Sequence, residues 1–87
     1  MKIERLDAIE RIPLAIEYRR VYRADAHVAV GDSSSTEAKI EFALEMSPYG
    51  GYDVSVRFLD NTDYPVIPAI KLLKEHIKTL DRTGRLP

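Results

Sequence analysis

The sequence predicts an α+β domain of about four antiparallel β-strands, with a C-terminal amphipathic helix packed on one face of the sheet. Three observations predict it. The runs "AKIEFALEM" and "YDVSVRFL" alternate apolar and polar residues with a period of two, as strands with one buried face do. The segment between them, Ser47-Pro48-Tyr49-Gly50-Gly51, has the length of a hairpin loop and glycines able to take a positive φ. Near the C-terminus, "PVIPAIKLLKEHIKTL" changes to a helical period of 3.6.

Taken in chain order, the N-terminal element is the least regular. Ile3, Leu6 and Ile9 recur at intervals of three and read as a short amphipathic helix stopped by Pro13, with a strand as the open alternative. Next, "PLAIEYRRVYR" puts Leu14, Ile16 and Tyr18 on one side, and "AHVAV" repeats the alternation with Ala26, Val28 and Val30. These read as two strands, about 13–23 and 26–31, joined by a tight turn at Ala24-Asp25. Val21 falls out of phase with Tyr18, which points to a β-bulge at Arg19-Arg20.

The central hairpin pairs strands 38–46 and 52–59. With Met46 opposite Tyr52, Leu44 meets Val54, Phe42 meets Val56 and Ile40 meets Phe58, so one side is wholly apolar. On the other side Glu41 meets Arg57, a favourable pair, and Glu45 meets Asp53, a like-charge pair that calls for a cation nearby. The helix spans about 66–82. Val66, Ala69, Ile70, Leu73, Ile77 and Leu80 fall in an arc of roughly 100°, Pro65 or Pro68 fits its first turn, and Gly84 suits the left-handed position past its end. It is expected to lie on the hairpin through Ile70, Leu73 and Ile77.

The 87 residues are 45% hydrophobic and 31% charged, a globular balance rather than a disordered one, so residues 1–87 are read as a single small domain. A chain this short buries only about 60–65% of its unfolded surface, and self-association would help it. With no cysteine, disulfides and thiol catalysis are excluded and a reducing, cytoplasmic setting is the expectation. No apolar run reaches the ~18–20 residues of a membrane span. A net charge of −1 argues against a dedicated nucleic-acid binder. Residues 65–87, however, hold five cations against Glu75 and Asp81, a net of +3 that leaves −4 on the rest.

Several stretches have compositions that chemical sites use. "GDSSST" has the composition of a phosphate loop but lacks the adjacent lysine and helix start, and reads as a plain connection. "DNTDYP" lacks the glycine and terminal glutamate of a calcium loop, and reads as a turn. His27 and His76 read as packing residues, since neither stands beside an evident nucleophile. No catalytic, metal-binding or cofactor residue is assigned. "EYRRVYR" interleaves tyrosine with arginine as single-strand binding platforms do, but alternation sends Tyr18, Arg20 and Tyr22 to one face and Arg19 and Arg23 to the other. Arg19 and Arg23 are expected to serve the Glu45 and Asp53 pair. Lys71, Lys74, Lys78 and Arg82 form a basic stripe along the helix, away from its apolar arc.

The hairpin with "GGYDVSV" followed by a lysine-bearing helix resembles small antitoxin domains of the HicB type over residues 38–80, in topology and in a Gly-Gly-Tyr; no functional residue follows from it. The functional expectation is a non-enzymatic interaction or regulatory module that binds a protein partner and forms a homodimer through a sheet edge or the outer face, near Glu41, Arg57, Ala43 and Leu59. Its candidate partner-binding residues are Lys71, Lys74, Lys78, Arg82, Arg19 and Arg23. The alternative is a nucleic-acid-binding domain that uses the helix stripe together with the Arg/Tyr-rich strand.

Overall fold

A computed structural model describes residues 1–31, 34–62 and 65–87. Four strands, β1 (Lys2–Ile12), β2 (Arg19–Ala29), β3 (Ser35–Met46) and β4 (Tyr52–Phe58), form one antiparallel sheet in chain order, followed by the helix α1 (Val66–Arg82). The β3–β4 register is the one the alternation predicts, from Met46 opposite Tyr52 to Ile40 opposite Phe58. Gly50 and Gly51 turn the chain with φ of 98° and 71°.

The N-terminal element is a strand, not a helix. Its spacing of three has a specific cause: Ile3 pairs with Val28 and Leu6 with Ala26, so three steps along β1 match two along β2, and the same irregularity recurs between Asp7 and Glu10. Each bulge inserts one residue and returns the next apolar side chain to the covered face. Ala8, inside the second bulge, has a φ of 51°.

The second departure concerns β2. Residues 13–18 lie outside any strand, and β2 runs through Ala24-Asp25 without a turn, in unbroken register with β3 from Arg19 to Ala29. No bulge occurs at Arg19-Arg20. The alternation continues through Tyr22, Ala24, Ala26 and Val28, all buried, and the interruption that suggests a bulge is Arg20 itself, a charged residue at an inner-face position. Its guanidinium reaches Asp81 of α1 at 2.9 Å.

Helix α1 covers the inner face. Ala69, Leu73 and Ile77 are fully buried in one cluster with Leu6, Tyr22, Ile40, Phe42, Leu44 and Val54. Ile70, expected at this contact, is only half-buried. The helix backbone comes closest to the two edge strands, β4 and β1, while larger side chains of the middle strands fill the space beneath it. Tyr22 stacks on Phe42 with ring centroids 5.1 Å apart. The helix begins after Pro65 and is closed by Gly84, whose φ is 70°. There the Gly84 N–H donates to the Asp81 carbonyl and the Arg85 N–H to the Leu80 carbonyl, the paired closure that a left-handed residue past a helix end permits. Among the described residues no helix is long and apolar enough to cross a membrane.

Candidate functional site

The six cations singled out in the sequence do not form one site. Lys71, Lys74, Lys78 and Arg82 follow the solvent side of α1, and none closes an ion pair with a described acid. Lys71 and Glu75, one turn apart, stay unbridged. Arg19 and Arg23 project from the opposite side of the molecule, on the sheet face that α1 does not cover, because Tyr22 and Ala24 between and beside them are buried against the helix.

That outer face is held by ion pairs within the chain. Glu41 receives Arg57 Nε at 2.8 Å and Arg23 Nε at 3.4 Å. Arg19 stands 3.7 Å from Glu45, the cation that the Glu45 and Asp53 pair calls for, and Lys39 reaches Asp25 at 3.4 Å. The hydrogen bond from Arg57 holds the Glu41 carboxyl below the usual carboxylate range, against some desolvation. Between these pairs lies a hollow of about 150 Å³ lined by Arg19, Val21, Glu41, Ala43, Ser55 and Arg57. Ala43 is buried there despite facing outward, so it offers no contact surface.

Both histidines are partly buried. His27 Nε2 lies 2.9 Å from Asp7 Oδ2, and Asp7 is also bound by Arg5 at 2.9 Å; the Arg5 hydrogen bond, opposed by slight desolvation, holds the Asp7 carboxyl low. His76 sits in a shallow hollow with Met1, Lys2, Ile3, Leu72, Glu75 and Thr79, and burial pushes its pKa down. Of the two candidate loops, Asp32 and Ser33 of "GDSSST" and Asp63 of "DNTD" lie outside the described residues. Ser35 ends the first of these loops and donates to Glu4 at 2.5 Å, a strand-to-strand tie.

The feature that stands out is at the far end of the inner face. Beyond the covered row Arg20, Leu44 and Val54, the next row holds Tyr18, Met46 and Tyr52: Met46 pairs with Tyr52 and donates its N–H to the Tyr18 carbonyl at 2.9 Å. The apolar face is thus one row longer than the helix that covers it. Tyr18 is 54% exposed, Met46 55% and Tyr52 42%, and Tyr49 in the adjoining turn is 97% exposed; Leu14 and Ile16, just before Tyr18, are 45% and 44% exposed. Arg20 bounds the row on the helix side. Its guanidinium lies over the Tyr52 ring at 5.2 Å, donates to the Tyr22 hydroxyl at 3.3 Å and bridges to Asp81. Burial works against this charge, and the Asp81 hydrogen bond together with the Tyr22 hydroxyl more than offsets it, so the Arg20 pKa lies above its ordinary value.

A family model matches residues 1–82, which take in all four strands and the helix to its last residue. The chain belongs to the BB_0187 family. No curated protein and no solved structure matches it, so the likeness of residues 38–80 to HicB-type antitoxins finds no counterpart there, and family membership brings no activity with it. The unit that defines the family comprises the complete sheet-and-helix fold, including the uncovered row. Sequence reasoning misses this row as a site. Its signal is present in the shared phase of Leu14, Ile16 and Tyr18 and in Met46 opposite Tyr52, but alternation alone assigns both to the core, because nothing local marks where the covering helix stops.

Proposed function

We propose that this chain is a small non-enzymatic interaction module that binds a protein partner and itself, acting in the cytoplasm, the setting that a cysteine-free composition suits. One observation carries it: the inner apolar face continues past α1 as the exposed row Tyr18, Met46 and Tyr52, flanked by Tyr49, Leu14 and Ile16. Contiguous exposed apolar surface of this kind marks a place where something docks. Tyrosine and methionine are the side chains such interfaces favour, the first for a large ring with a wettable hydroxyl and the second for its adaptable shape. Arg20, the cation that borders the row, is held by Asp81, so the patch recognises shape and apolar area rather than phosphate.

The test is capture of partners from the native host by the wild-type chain and by Met46→Glu. A protein retained by the first and lost by the second supports the reading. A nucleic-acid-binding domain is the second reading, supported by the four helix cations that meet no described acid, although Arg19 and Arg23 cannot join them in one surface. Mobility shift at two salt concentrations separates the two, because phosphate-driven binding weakens steeply as salt rises. A salt-sensitive shift abolished by Lys74→Glu and Lys78→Glu together would replace the first reading with the second.

A further inference from the structure

Resting on that reading, we infer that the occupant of the Tyr18–Met46–Tyr52 row is a second copy of this chain, packed face to face about a two-fold axis that passes close to Met46. The row runs straight across three adjacent segments of chain with Met46 at its centre. A two-fold through that centre reverses one row against the other. Each Tyr18 then meets Tyr52 of the other copy, and the two Met46 side chains meet on the axis. A closed, isologous contact of this kind needs no surface except the row itself, and both ring pairs and methionine–ring contacts are favourable.

The area suffices. The exposed parts of Tyr18, Tyr49 and Tyr52 amount to about two whole tyrosine side chains, roughly 300–500 Å² at ~150–250 Å² each. Doubled across the two-fold this is roughly 600–1,000 Å², and Met46, Leu14 and Ile16 carry it past the ~1,000 Å² that a specific interface requires.

The other routes to a dimer are disfavoured by the fold. Edge strand β1 is interrupted by two bulges, and β4 spans only 7 residues with Asp53 and Arg57 along it. Both are devices that keep sheet edges from pairing. On the outer face, Glu41 already holds both Arg57 and Arg23, Arg19 serves Glu45, and Ala43 is buried. The charge of Arg20 beside the row is balanced within the chain by Asp81, so two rows meet without repulsion.

Light scattering over a range of concentrations tests this, with the wild-type chain and the variants Met46→Glu and Tyr18→Ser, whose folding is checked by circular dichroism. The expected result is a mass twice the 9.9 kDa of the chain, and a dissociation constant raised at least about tenfold, or roughly 1.4 kcal/mol, by either variant. Because the chain has no cysteine, Met46→Cys provides a second readout that needs no loss of affinity: a mild thiol oxidant should link it into dimers much faster than Ser55→Cys on the outer face. A wild-type mass of one chain up to millimolar concentration overturns the inference, as does a dimer indifferent to both row variants with Ser55→Cys linking faster. Either outcome leaves the interaction-module reading standing, since that reading is decided by capture of a different protein. Salt-sensitive nucleic-acid binding lost in Tyr18→Ser would overturn both.

Discussion

The hydroxyl of Tyr22, on a side chain with no solvent exposure, donates a hydrogen bond to the carbonyl oxygen of Pro87, 2.9 Å away. This ties the residues that follow the helix back to the middle of the sheet. Tyr22→Phe keeps the ring on Phe42 and removes only the bond, so it should cost about 0.5–1.5 kcal/mol. Tyr22→Ala also empties the core beneath α1 and should cost about 3–5 kcal/mol. Urea denaturation of the two variants measures the difference; equal losses would mean that the hydroxyl, not the ring, holds this corner together.

Leu73 is the fully buried residue midway along the buried stripe of α1. Leu73→Ala should destabilise the chain by about 2–5 kcal/mol, a large share of the ~5–15 kcal/mol that small domains possess. Thermal unfolding followed by circular dichroism checks it. A melting temperature that does not move would mean that α1 contributes little to the core.

Ala8 has a φ of 51° inside the second bulge of β1. A left-handed backbone costs an L side chain roughly 1–2 kcal/mol, whereas glycine escapes that strain but has more freedom to lose from the unfolded chain. Ala8→Gly should therefore leave stability unchanged or raise it by up to about 1 kcal/mol. Calorimetry that showed a clear drop in melting temperature would place the bulge elsewhere.

Acid should weaken the fold in two stages. His76 has its pKa pushed below 6.5 by burial, so the unfolded chain takes up its proton first as pH falls. Stability declines from about pH 6.5 downward until the folded-state pKa is passed. Glu41 is held below 4.5, chiefly by the Arg57 hydrogen bond. Its contribution is present above the unfolded value and is lost as pH falls through the folded one, a small effect because the pair is exposed to solvent. Denaturation midpoints between pH 8 and pH 3 should show His76→Gln abolishing the upper part of the decline and Arg57→Ala reducing the lower part. A decline in the upper range that survives in His76→Gln would assign it to another group.

Legibility followed the range over which each pattern is set. The β3–β4 register and the extent of α1 could be read directly because one-sided burial imprints a period of two or of 3.6 on consecutive residues, and because Gly50, Gly51 and Gly84 mark the reversals those elements need. The pairing of Arg19 with Glu45 could be anticipated for the same reason: once the hairpin register places Glu45 beside Asp53, a cation from the next strand is the nearest available counter-charge.

β1 and β2 were legible only in part. Ile3, Leu6 and Ile9 carry the spacing of a helix, yet each interval of three contains a bulge residue that exists only relative to β2. Arg20 breaks the apolar rhythm of β2 because its counter-charge, Asp81, lies 61 residues away on α1. The hairpin, the helix and the face each must bury follow from local alternation, which is written in consecutive residues and needs no knowledge of the rest of the chain. That the inner face outlasts its helix and leaves Tyr18, Met46 and Tyr52 uncovered is a property of the assembled fold, because the lengths of strand and helix are set independently and meet only when one is laid across the other.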